Sequence, residues 1–423
     1  MRPSVGIVYS DGELESLESF HLAKYLCGIL TATNHAVVHL VPMSDECGSS
    51  KLSPNASRIN YYPLLGVIDK TRVHTVPGAD FQFTTWAVLP ICDVILIVVN
   101  RSDSVAAWKR VGGLRFAKDH PACIFCLERG LLNFAHVADA ATALGEVPEH
   151  NKVTVVPGMA SFSVVPHPES HAMIPVSVGP PTIVLERLTK DAEENATGPC
   201  NLLEFTGMRA LYRKNLTPYS WGMTCVEAAV GAANVLQGSV STHVTLRDRL
   251  FRTAAVCMVR EIGVVTARAS SKSKWDVSVD GVSALPSLWA VEMVLSAPNW
   301  LLAPCLWWGA LAMDLPLPSP GAVDGSAGRK SALLVLLTEV LDLGRRTKTD
   351  MPVCSFVTER LRVREEAGTS TAGVMGNERP ALVGAVFRRG REPASLGEFR
   401  GYSIRFAALL SFLIVFYILF FHD

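Results

Sequence analysis

The run CDVILIVV, Cys92–Val99, carries a single polar residue, Asp93, near its start. A strand with one wet face alternates apolar and polar side chains. A continuous apolar run of this length suits a strand covered on both faces, as in a parallel sheet flanked by helices. The surroundings have the texture such a sheet needs. Residues 4–9 and 35–41 read as strands with a helix between them in Leu17–Ile29, Ser104–Val111 reads as helix, Ala122–Leu127 as the next strand and Phe134–Leu144 as helix. This alternation predicts an α/β fold with a doubly wound sheet.

Beyond that sheet the texture changes. Residues 44–60 are rich in Gly, Ser, Pro and Asn and predict a surface loop or insertion. Val153–Glu186 holds short β runs broken by Pro and Gly, a sheet edge and hinge. After Asn201 the pattern becomes helical, through Leu246–Ile262, Leu288–Ser296 and Ala332–Leu343, and residues 364–380 are polar and Gly/Thr-rich. A chain of 423 residues with 49% hydrophobic content has room for two such bodies. The formal net charge is zero, so no global field favours nucleic acid, and none is expected as a partner. The 10 Cys are scattered through apolar runs, as reduced cytosolic thiols would be. Cys123 and Cys126 lie within one strand and read as core thiols. His167 and His171, in a Pro-broken loop, read as a solvated turn, and no metal site is expected. Asn299–Met313 is apolar but broken by Pro304 and reads as core or as a partner-facing patch.

The C-terminal run Phe406–Phe421 is FAALLSFLIVFYILFF, apolar on every side. As a helix it covers roughly 24 Å, against a hydrocarbon core of roughly 30 Å, and Ile404 with a snorkelling Arg405 extends it. Arg388, Arg389, Arg391, Arg400 and Arg405 precede it, while only His422 and Asp423 follow. The expectation is a transmembrane tail anchor over 404–421 with the body facing the cytosol, at the mitochondrial outer membrane or the endoplasmic reticulum. The N-terminus opens on strand-like SVGIVY, without the apolar core of a signal peptide.

Tyr219–Gly238, YSWGMTCVEAAVGAANVLQG, reads as a helix opened after Pro218 and closed by Gly238. It resembles the long helix that opens the C-terminal domain of the ketopantoate reductase (2-dehydropantoate 2-reductase) family. Trp221 is in register with that helix. Arg247, Arg252 and Glu261-Ile-Gly match the helices that follow, and Pro318–Val353 is similar to the family's Ser…Asp…Arg…Thr-Glu…Gly…Pro segment. CLERGLLNF (Cys126–Phe134) and VSVGPPTIVLE (Val176–Glu186) resemble stretches of its first half. The resemblance implies a Rossmann-like domain over 1–198 and an all-helical domain over 199–363, followed by a linker and juxtamembrane segment over 364–403.

The family's chemistry is expected to be lost. Its catalytic Lys falls on Met223 and its two helical Asn on Glu227 and Gly231. The Asn of an Asn-Gly pair falls on Arg129, a Lys that ends the fourth strand on Asn100, and the Glu of the C-terminal segment on Ala332. Ser319 and Asp324 survive as candidates for the substrate cleft, though a turn and a helix cap account for them too. After the first strand, only Gly12 stands where a dinucleotide turn needs several glycines, and Asp11, Glu13 and Glu15 put carboxylates where phosphates would lie. The resemblance also implies a basic residue after the second strand, where this chain has Val41-Pro42-Met43.

The sequence thus leads to a membrane-tethered pseudoenzyme, a binding or scaffold protein with protein partners and no bound cofactor. Two alternatives stay open. One is a divergent NADP-dependent reductase of the 2-dehydropantoate type rebuilt around Gly12. The other is a small-molecule sensor with Arg129 or Glu227 as anchors in the interdomain cleft.

Overall fold

The computed structural model describes residues 2–10, 18–43, 58–62, 73–99, 101–114, 122–127, 153–166, 170–176, 182–186, 208–214, 248–273, 332–366 and 379–390, with isolated residues at 116, within 201–233 and at 295–296. The expected tail at 404–421, residues 44–57 of the loop expected over 44–60, the helix at 134–144 and the apolar stretch 299–313 lie outside the described residues; the end of that loop, 58–60, forms a strand instead. Among the described residues, no helix is long and apolar enough to cross a membrane.

The expected sheet is there and is larger than the alternation alone implied. Eight strands run in the order β12-β11-β8-β7-β6-β1-β2-β5. These are β1 (Ser4–Tyr9), β2 (Val37–Pro42), β5 (Phe81–Phe83), β6 (Val94–Val98), β7 (Ala122–Cys126), β8 (Val153–Ala160), β11 (Thr182–Glu186) and β12 (Arg209–Arg213). All neighbours pair in parallel except β8 and β11. The run that predicted a central strand is buried at every residue of β6. Helix α1 (Glu18–Ala32) covers one face, and α2 (Arg101–Gly112) covers the other together with the stretch through Trp86 and Leu89.

A second sheet was not legible in the sequence. Its order is β4-β3-β10-β9, from β3 (Arg58–Tyr61), β4 (His74–Pro77), β9 (Ser163–Pro166) and β10 (Met173–Val176). It packs on the outer side of α1, so that helix is held between two sheets. The approach is close at Gly28, where a Cβ would stand 3.0 Å from the Tyr61 ring and 3.1 Å from Ile59. Tyr25, fully buried on the same helix, donates its hydroxyl to the Tyr62 carbonyl at 3.3 Å.

The helical part has its own core. The described residues of 219–233 are helical, and Trp221, Cys225, Ala228, Ala229, Ala232 and Ala233 pack with α3 (Arg249–Ser273), α4 (Ala332–Arg346), α5 (Pro352–Glu366) and α6 (Arg379–Gly390). Small residues on the first helix let its neighbours approach closely. Asp248 starts α3 by accepting the Leu250 amide on its side chain at 2.9 Å, an N-cap. Two helices enter the stretch 364–403, expected as linker and juxtamembrane segment. Helix α5 runs on to Glu366, and α6 lies within the linker with Leu382 and Ala385 fully buried in the helical core. Val386 packs against the same core.

Candidate functional site

In a doubly wound sheet the ligand crevice opens at the carboxyl ends of the strands, where the order reverses. Here that point is β1, which has β6 on one side and β2 on the other. The carboxyl ends of these three strands are tied to one another. Ser10, directly after β1, donates its amide to the Ser19 hydroxyl at 3.0 Å, and that hydroxyl donates onward to the Val98 carbonyl at the end of β6. Ser10 and Ser19 are both buried. On the other side the Met43 amide donates to the Tyr9 carbonyl at 3.0 Å, and the Trp86 indole N–H donates to the Pro42 carbonyl at 2.8 Å.

The position after β2, where a basic residue would select an adenosine 2′-phosphate, is occupied by buried Val41 and Met43. Arg110 of α2 stacks over the Trp86 ring at 5.6 Å. At the start of α1, Tyr9 and Phe20 stack with ring centroids 5.4 Å apart, and Lys24 lies over Phe20 at 5.8 Å. Burial holds the Lys24 ammonium below its ordinary pKa. The phosphate turn itself, with Asp11, Gly12, Glu13 and Glu15, lies outside the described residues.

Ser19 is a site residue that the sequence reading missed. Its only signal is a hydroxyl in the first turn of a helix. Ser19→Ala is expected to cost about 2 kcal/mol, because it leaves a buried amide and weakens the satisfaction of a buried carbonyl. Thermal unfolding of the variant and hydrogen exchange at Ser10 check this.

The resemblance places the remaining candidate residues on and after the first helix of the helical core. Met223 and Glu227 lie outside the described residues, as do Asn100, Arg129, Ser319 and Asp324. Trp221 is buried, and its indole N–H has no hydrogen-bond partner among the described residues. Gly231 and the start of α4, where Ala332 is the first residue, are brought together. A Cβ at Gly231 would stand 3.6 and 3.7 Å from the two methyl carbons of Leu333. Gly231 thus lies against Leu333, the residue that follows the position matched to the family's Glu, and that contact is apolar.

Glu261 was noted in the sequence only as part of a matching texture. It is fully buried on α3, and its two carboxylate oxygens accept the Val353 amide at 3.0 Å and the Cys354 amide at 2.9 Å. It thus caps α5 from another helix, where the positive end of the helix dipole favours an anion. Cys123 and Cys126 belong to opposite faces of the sheet, one to each apolar layer, so they cannot share a ligand. His171 is exposed with φ 53°. No group of side chains among the described residues could hold a metal ion.

No family model matches the sequence, and no curated protein matches it. Solved structures do. The ternary structure of D-mandelate dehydrogenase with NADH and anilino(oxo)acetate superposes with a TM-score of 0.57 at 14% identity, over 86% of this chain and 99% of that one. A PanE/ApbA family ketopantoate reductase from Ralstonia eutropha JMP134 gives 0.56 at 13% identity over 86% and 99%. The 2-dehydropantoate 2-reductase of Geobacter metallireducens GS-15 gives 0.51 at 14% identity over 85% and 99%. The fold of this chain, a Rossmann-like sheet followed by helices, is that of the ketopantoate reductases and of D-mandelate dehydrogenase.

Proposed function

We propose that the chain is a pseudoenzyme with a ketopantoate reductase fold that is tethered to a membrane by residues 404–421 and serves as a binding or scaffold protein for partners there. The observation that carries this reading is the ground after β1 and β2, where buried Val41 and Met43 stand in place of a basic residue for an adenosine 2′-phosphate. Two further observations support it. The turn between Ser10 and Glu18 carries Asp11, Glu13 and Glu15 with one glycine, and each carboxylate adds repulsion of about 1 kcal/mol toward a phosphate under solvent screening. The position that matches a substrate-binding Asn is Gly231, packed against Leu333.

A hydride transfer to a ketone needs a proton donor and a partner for the substrate carboxylate. Met223 and Ala332, at the matching positions, supply neither. The body is assigned to residues 1–390, with α6 included, and to the cytosolic side of the mitochondrial outer membrane or endoplasmic reticulum.

Titration of the full chain in mild detergent with NADPH and NADH tests this against a reductase rebuilt around Gly12. No saturable binding is expected at sub-millimolar cofactor, and no turnover of ketopantoate. Micromolar binding in calorimetry or cofactor fluorescence would put the reductase first. Co-purification of a stoichiometric protein partner separates a scaffold from a small-molecule sensor.

A further inference from the structure

The helical core has two ends, and they differ in charge. Helices α4 and α5 form a hairpin whose corner, residues 345–351, exposes Arg345, Arg346 and Lys348. Arg268 reaches the same corner from α3, donating to the Lys348 carbonyl at 3.1 Å and to the Thr349 hydroxyl at 3.0 Å. The acids there are Asp342, 2.9 Å from Arg345, and Asp350. Cations are in excess. At the other end of the hairpin, among the described side chains, Glu359 and Glu366 balance Arg360 and Arg362. Arg362 and Glu359 are themselves paired at 2.9 Å.

Helix α6 is packed on α3 and α5 and ends at Gly390, only a short way before Ile404 in sequence. Even fully extended, a chain of that length spans at most about 45 Å. The α4–α5 hairpin is itself about 22 Å long. With residues 404–421 in a bilayer, either end of the hairpin is within reach of the headgroups, and charge decides between them.

We infer that the α4–α5 corner, through Arg345, Arg346 and Lys348, rests on an anionic lipid surface, with Arg268 fixing the shape of the turn. This rests on the tethered reading above and adds to it which face of the body meets the membrane. The corner is suited to such contact. Its backbone is held by bonds from Lys348 to Arg345, from Thr349 to Gly344 and from Thr347 to Leu343, and Lys348 closes α4 with φ 53°. Exposed cations on a rigid turn lose little freedom when they meet headgroup phosphates.

The test is hydrogen exchange of the full chain in lipid nanodiscs. Amides of 345–350 are expected to exchange about fivefold more slowly in discs containing phosphatidylserine than in phosphatidylcholine discs. The difference should vanish near ~0.5 M salt and in Arg346→Glu/Lys348→Glu, whose exposed positions leave the thermal midpoint unchanged. Equal exchange in both lipids, with the protein inserted, overturns the inference alone. So does a slowing that Arg388→Glu/Arg389→Glu abolishes while the corner variant retains it. A full chain that enters neither disc overturns the tethered reading, and this inference with it.

Discussion

Glu261→Ala is expected to lower the thermal midpoint of the full chain by about 10 °C, equivalent to about 4 kcal/mol. The carboxylate is fully buried and takes both amides that open α5, at 3.0 and 2.9 Å. Two terms compete. Removing a buried charge relieves a desolvation cost, which is why apolar replacements of buried ion pairs are sometimes neutral. Here the charge sits at the positive end of a helix and its removal leaves two buried amides with no acceptor. Hydrogen bonds to a charged group contribute about 2 kcal/mol each, so the second term wins. Glu261→Gln keeps one acceptor oxygen and should fall between wild type and Ala. Hydrogen exchange at Val353 and Cys354 separates loss of the cap from general softening. Unchanged exchange there in Glu261→Ala would show that the cap is not what holds α5.

How far the sequence carried the fold follows from this kind of contact. Strands β1, β6 and β7 were legible because a buried parallel strand writes its environment into every residue, as VILIV and ACIFC do. Helices α1 and α2 followed from the spacing between them. The sheet β4-β3-β10-β9 was not legible, because HTVP, SVVP and MIPV are short, contain Pro and carry no period. Helix α6, whose residues 381–387 read ALVGAVF, was passed over because it stands between the polar stretch 364–380 and a run of arginines.

The site divided in the same way. The loss of family residue types at 223, 227, 231 and 332 is a matter of identity and could be read directly. That Ser19 reaches the end of β6, 79 residues away, and that Glu261 reaches α5, 92 residues away, depends on which helix lies beside which strand or helix. A single hydroxyl or carboxylate in an apolar run gives no address for its partner. The same holds for Gly231, whose neighbour Leu333 comes from α4.

Gly231 yields the second large effect, because two substitutions there should move stability in opposite directions. The residue is helical and buried, and a Cβ would meet the Leu333 methyl carbons at 3.6 and 3.7 Å, which is ordinary contact. Gly231→Ala should therefore stabilise by about 1 kcal/mol, by reducing the freedom of the unfolded chain and raising helix propensity. Gly231→Asn restores the residue type that the resemblance implies for a substrate-binding helix. Its amide extends past the Cβ toward Leu333, whose side chain offers no hydrogen bond. Burying an unpaired amide costs about 3 kcal/mol, so the two variants should differ by about 4 kcal/mol, a separation of about 10 °C in midpoint. The comparison discriminates between functions as well as packings. In a closed apolar seam, Ala is better than Gly and Asn is worse. In an open, hydrated cleft, Asn would be solvated and would lie near wild type, while Ala would keep its helix-propensity gain. A midpoint for Gly231→Asn within 2 °C of wild type would reopen the cleft and return the sensor and reductase readings to first consideration.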